Sequence, residues 1–144
     1  MADTKQVAAE ALEAFNAHDE ARIRATYADD VVFEAPGDAR AEGVDAATGY
    51  AMAWLTAFPD ARLTVHDEIY DGEWCVQRFT FTGTHQDTLS GPGGDVPATN
   101  RRLSGRGIQM FRVRDGKILE EHVYYDQVQV LTQLGLMPEP AATA

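Results

Sequence analysis

The segment Leu103-Ser104-Gly105-Arg106-Gly107-Ile108-Gln109-Met110-Phe111-Arg112-Val113-Arg114-Asp115-Gly116-Lys117-Ile118-Leu119-Glu120-Glu121-His122-Val123-Tyr124-Tyr125-Asp126 reads as two β-strands around a tight turn. Asp115-Gly116 between two runs of strand formers is a strong hairpin signal, because both residue types accept the positive φ that a type I′ turn requires. Register then decides which side chains share a face, since a slip of one residue turns every side chain over. A two-residue turn sets Gln109 opposite His122. A three-residue turn, with Gly116 in a G1 bulge, sets Gln109 opposite Glu121.

At 144 residues the chain can bury a core without disulfides or structural metal, which predicts one domain over residues 1–138. The Pro/Ala-rich residues 139–144 read as a disordered tail. A formal net charge of -11 with no basic run argues against nucleic acid and anionic membrane as partners. Cys75 is the single cysteine, so no intramolecular disulfide forms and a reducing cytoplasm is the expected location. No signal pattern is present, and no apolar run approaches the roughly 20 residues that span a bilayer. The four histidines, at 18, 66, 85 and 122, lack paired ligand spacing, so no metal site is expected.

Working outward from the hairpin, Val7, Ala8, Ala11, Leu12 and Phe15 recur at helical spacing and place one apolar stripe on a helix from Asp3 to His18. Asp19 can cap a short second helix through Ile23 and Tyr27. Val31 to Ala35 reads as a strand stopped by Pro36-Gly37, with Glu34 on the face of Val32. A third helix runs from Val44 to Phe58 and carries Tyr50, Trp54 and Phe58 as an aromatic stripe. Leu63 to Tyr70 and Trp74 to His85 form a hairpin about Asp71-Gly72. The Gly91-Pro92-Gly93-Gly94 stretch, with Pro97, reads as an irregular loop bordering a binding site. Asn100 is expected to have positive φ, because Asn tolerates the left-handed region better than most residues. Gln127 to Leu134 reads as a short helix closed by Gly135. Helices first and long strands later predict an α+β fold, in which N-terminal helices pack on a strongly curved antiparallel sheet to form a cone with an internal cavity.

Several stretches together resemble the SnoaL-like polyketide cyclase family of the nuclear transport factor 2-like superfamily. They are Ala14-Phe15-Asn16-Ala17, Tyr27-Ala28-Asp29-Asp30-Val31-Val32-Phe33, Ala57-Phe58-Pro59-Asp60, Gly83-Thr84-His85, Arg114-Asp115-Gly116-Lys117-Ile118 and Gln133-Leu134-Gly135. The resemblance implies a homodimer and a cofactor-free aldol ring closure on an aromatic polyketide ester, and the first reading for this chain is such chemistry on a polyketide-like or other apolar ketone. It also implies departures from the family pattern. The acid/base Asp of the cyclases falls on Val123, their His on the preceding strand on Gln109, and their first-strand Asn on Glu34. The resemblance favours the three-residue turn, which puts Gly107, Gln109 and Phe111 on one face with Leu119, Glu121, Val123 and Tyr125. His122 and Tyr124 then face away.

Enolate chemistry needs a base for a carbon-bound proton and donors for the oxyanion. Glu34 suits the base, set against a solvent-facing strand-end carboxylate, and Gln109 suits a donor, set against an amide that satisfies polar neighbours in the sheet. His122 is a proton exchanger by chemistry but faces outward, and the commonest role for Asp126 is capping the helix that follows it. The substrate-binding candidates are Trp54, Phe58, Arg78, His85, Phe111, Glu121, Val123 and Tyr125. Arg78 and His85 either orient a substrate carbonyl or join an ion-pair network with Glu34 or Glu121. Two further readings stand beside the cyclase: a non-catalytic module that captures a ligand or partner, and water addition as in epoxide hydrolases of the same superfamily.

Overall fold

Six strands form one curved sheet in the computed structural model, which describes residues 3–91 and 94–138. The chain runs α1 (Thr4–Asn16), α2 (Glu20–Thr26), β1 (Tyr27–Ala35), β2 (Ala39–Glu42), α3 (Val44–Ala57), β3 (Arg62–Asp71), β4 (Trp74–Thr84), β5 (Leu89–Gly91), β6 (Gly94–Val96), β7 (Arg102–Arg114), β8 (Lys117–Tyr125) and α4 (Gln127–Gln133). The expected tail at 139–144 lies outside the described residues.

Local chemistry sets the helix boundaries. Asp3 and Gln6 close a reciprocal capping box on α1, so two otherwise unpaired N–H groups at its start are satisfied. Asp19 caps α2 through the Arg22 N–H, and Asp126 caps α4 through the Gln129 N–H at 3.1 Å. Gly135, with φ 75°, follows α4 in the left-handed position that ends helices. Asn100 has φ 58°, as its residue type predicted.

The sheet order is β2-β1-β8-β7-β4-β3. It is mixed rather than wholly antiparallel, because β1 pairs with β8 in parallel. The reason is connectivity: β1 is followed by the β2 hairpin and α3, and the chain then builds the other edge before β8 returns beside β1. β2 lies between Pro36-Gly37 and α3, where no strand was expected; Gly37 (φ 82°) and Asp38 (φ 58°) turn the chain back, and Ala39 and Ala41 are buried. The glycine-rich loop also contains structure, since Leu89, Ser90 and Gly91 pair with Val96, Asp95 and Gly94 in a small hairpin.

Helices α1 and α3 cover the inner face of the sheet, against Val31, Phe33, Leu103, Phe111 and Ile118, each at most 4% exposed. Gly107 permits the closest approach on that face. A Cβ there would lie 2.6 Å from the Phe79 ring and 2.7 Å from the Tyr124 carbonyl oxygen, so β7 carries hydrogen where the aromatic side chain crosses it.

Candidate active site

The register of the β7–β8 hairpin builds the site, and it matches neither simple alternative. Asp115 (φ 52°) and Gly116 (φ 75°) form a two-residue turn with Arg114 paired to Lys117. The pairing then shifts between Val113↔Ile118 and Arg112↔Glu120, which leaves Leu119 as an extra residue in a β-bulge. Gln109 therefore faces Val123, and Phe111 faces Glu121. The inner face carries Glu121, Val123 and Tyr125 as the three-residue turn had implied, but the bulge supplies the change of parity. Ile118 takes the inner position expected of Leu119, which lies on another groove beside Lys117.

Between this face and the helices lies a cavity of about 150 Å³, walled mainly by aromatic and aliphatic side chains. That volume is on the order of one aromatic ring. Phe33, Tyr50, Trp54, Phe79, Phe81 and Tyr125 shape it, and Trp54 packs edge-on against both Phe81 and Tyr125. Few polar groups interrupt this wall. Glu121 and Tyr27 meet on one side, Gln109 and Gln77 on another, and the Tyr50 and Tyr125 hydroxyls lie 3.4 Å apart.

Glu121 is the buried carboxyl of the site. It keeps some accessible surface, but that surface borders the cavity, and removal from bulk water pushes its pKa up to about 7. The neighbouring Tyr27 hydroxyl opposes this rise, and Tyr27 is in turn held well above the usual phenol range by its own burial and by Glu121. Tyr125 is likewise held protonated, through burial and the neighbouring Tyr50. At neutral pH Glu121 thus populates both its acid and its base form, the condition for a group that must take and return a proton.

The proposed site residues divide between this cavity and other places. Gln109, Trp54, Phe111, Glu121, Val123 and Tyr125 line it together. Glu34 does not: Phe33 turns inward, and Glu34 points outward to Arg40 (3.4 Å) and His122 (3.3 Å), with its side chain 45% exposed. The alternation that placed Glu34 beside Val32 thus sets it on the outer face. His122 lies there too, between Glu34 and Glu120. Asp126 caps α4 beyond the strand end. Arg78 is paired on the outer face with Asp67 at 2.6 Å, not with Glu34 or Glu121. Phe58 and His85 are fully buried and stacked on each other, but behind the cavity wall. Thr99 N–H donates to His85 Nδ1 at 3.3 Å, and burial lowers the His85 pKa, so this imidazole is a neutral structural element.

Tyr27 and Gln77 were missed, though both left a trace. Gln77 is the one polar residue in the period-two run Cys75, Gln77, Phe79, Phe81, a pattern that marks a polar group aimed into a core. Tyr27 looked like the end of a helix, whereas β1 begins there.

A family profile described as SnoaL-like polyketide cyclase matches residues 5–134. The chain belongs to this family. Aklanonic acid methyl ester cyclase DnrD of Streptomyces peucetius is 34% identical over 87 residues, which cover 59% of this chain and 57% of that protein, so the match spans less than two thirds of its length. Among solved structures, IdmH of Streptomyces antibioticus, a candidate polyketide cyclase, superposes with TM-score 0.76 at 30% identity over 93% of this chain and 99% of that one. AclR of Streptomyces galilaeus, a candidate hydroxylase, gives TM-score 0.78 at 27% identity over 96% and 84%. Among the described residues, no group of three or more His, Cys, Asp or Glu is arranged to hold a metal ion, and no helix is long and apolar enough to cross a membrane.

Burial of Glu121 has a signed consequence for stability. Its folded pKa lies above its ordinary value of 4.5, so between about pH 4.5 and 7 the folded state holds a proton that the unfolded state has lost. Raising the pH through this window therefore removes stability, on the order of 3 kcal/mol at most. Chemical denaturation across this range should show that slope in the native protein and a weaker one in Glu121→Gln, which should be the more stable of the two at pH 8. Equal slopes would place the Glu121 carboxyl in contact with water.

Proposed function

We propose that the protein is a cofactor-independent cyclase acting on a polyketide-like or other apolar ketone, with Glu121 as its acid/base group. The observation that carries this reading is one carboxyl of near-neutral pKa in an aromatic-walled cavity beside amide and phenol groups. The chemistry is an internal aldol closure. Glu121 as carboxylate takes the proton from a carbon next to a carbonyl, and the enolate carbon forms a C–C bond to a second carbonyl carbon. The resulting alkoxide recovers the proton from Glu121. Charge on oxygen is met by the phenol hydroxyls and the free N–H of Gln109, in a setting where exclusion of water strengthens each such contact. No electron leaves the substrate, so the reaction requires no redox cofactor.

A cavity the size of one ring holds the reacting end of a multi-ring substrate, and the remainder would extend through the mouth. The likeness to aklanonic acid methyl ester cyclases supports a role in secondary metabolism and makes that ester the first substrate to test, and the single, unpaired Cys75 suits a reducing cytoplasm. With it, Glu121→Gln should lower turnover by roughly 10²- to 10⁴-fold, and Glu34→Gln by no more than a few-fold. A Glu121→Gln protein that turns over normally would remove Glu121 from the mechanism.

Homodimerisation through the outer sheet face belongs to the same proposal. Tyr124 (61% exposed) pairs across strands with Ile108 (47%), and the next row runs His122, Met110, Val76 and Ile69 (66%). Such a patch on a sheet face suits a second copy of itself, rimmed by charges of both signs at Arg78, Asp67, Arg112 and Glu120. Light scattering should give twice the chain mass at micromolar concentration, and Ile108→Lys should shift it towards one chain. A monomeric native protein would refute the interface.

A further inference from the structure

The polar side of the cavity opposite Glu121 continues along the inner face of the sheet, across the paired residues of β7, β4 and the edge strand β3. Gln109 Nε2 lies 2.7 Å from Gln77 Oε1, and Gln77 Nε2 lies 2.9 Å from Glu68 Oε2. The Tyr70 hydroxyl donates to the same Glu68 oxygen at 2.5 Å. Burial and Glu68 hold Tyr70 protonated, and burial pushes the neighbouring Cys75 thiol up to about 11. Gln77 is 3% exposed, Gln109 borders the cavity, and Glu68 reaches the protein surface.

Direction along this chain is dictated from its outer end. A carboxylate only accepts hydrogen bonds, whereas an amide can present either end. Glu68 therefore draws the Gln77 N–H group to itself, Gln77 turns its carbonyl to Gln109, and Gln109 must answer with N–H. What remains of Gln109 is a carbonyl oxygen, to which no described residue donates, and one N–H. We infer that Glu68 is a positioning residue that fixes the orientation of the Gln109 amide through Gln77, so that the cavity offers a free carbonyl oxygen to a ring-sized ligand bearing a hydroxyl donor.

This rests on the cavity being the ligand site, and it concerns the polarity of that site rather than turnover. Glu68→Gln is the discriminating substitution because it preserves shape while permitting the whole chain to reverse. The amide introduced at 68 can donate to Gln77, Gln77 to the Gln109 oxygen, and Gln109 then shows both N–H groups to the cavity, while the Tyr70 hydroxyl rotates to accept the second N–H at 68.

Two measurements test it. In ¹H–¹⁵N spectra of the full chain, the side-chain NH₂ signals of Gln77 and Gln109 should both move in Glu68→Gln. A Gln109 signal unchanged while that of Gln77 moves would overturn the coupling. Binding of cyclohexanol and cyclohexanone, near equal in size, should favour cyclohexanol by about five-fold in the native protein, the scale of one hydrogen bond. In Glu68→Gln this preference should vanish or invert. If Glu68 served stability alone, both affinities would change together and their ratio would hold, which overturns the inference. Absence of any cyclohexanol preference in the native protein overturns the assignment of the free carbonyl. The spectral shift and the change of ratio on Glu68→Gln leave Glu121 unaltered in both proteins, so failure of the cyclase reading would appear separately, in turnover.

Discussion

The content of the cavity hangs on a single extra residue in β8. Without the bulge at Leu119, the two-residue turn at Asp115-Gly116 would carry Glu120 and His122 to the inner face and leave Glu121 and Val123 outside. With it, an ion-pair-forming row of Glu120 and His122 faces outward, and a carboxyl enters a hydrocarbon wall. The parallel pairing of β8 with β1 fixes the same parity from the other side, since Phe33 stands next to Glu121 and Glu34 next to His122. Two neighbours thus hold one register, and a slip of β8 would have to bury Glu120 and His122 and take His122 away from Glu34.

That register has an energetic cost that the rest of the site absorbs. An apolar residue in place of Glu121 would pack without desolvating a carboxyl, and most buried acids are paired with a cation. Here the neighbour is a phenol, Tyr27, which offers a polar hydroxyl but no charge. The opposite side of the cavity is built otherwise: the Gln109 and Gln77 amides are neutral, and their charge-bearing anchor, Glu68, stays at the surface. One wall therefore stores proton-transfer capacity and the other stores orientation, with stacked and edge-on aromatics between them keeping water out.

Much of this architecture could be read from residue order. Helical spacing, capping aspartates and Asp-Gly turns located the long elements, and the left-handed Asn100 followed from its residue type. The short strands β2, β5 and β6 escaped because three or four residues carry too little periodicity to be told from a loop. Glu34 shows the limit most plainly. Its face was read correctly from alternation with Val32, but which face met the cavity depended on β8 lying beside β1, a contact between residues about ninety positions apart. Arg78 was misplaced for the same reason, since alternation sorts side chains into two sets and does not say which set faces inward, whereas His85 is buried beyond the end of β4, stacked on Phe58 behind the cavity wall.

The account as a whole turns on where Glu121 titrates. Following the Glu121 side-chain carboxyl carbon by ¹³C NMR as pH is raised, with Glu121→Gln to assign the signal, measures this directly. A midpoint of about 7 is the predicted result. A midpoint near the ordinary value of 4.5 would mean a hydrated carboxylate, and would contradict both the burial of this carboxyl and the acid/base role assigned to it.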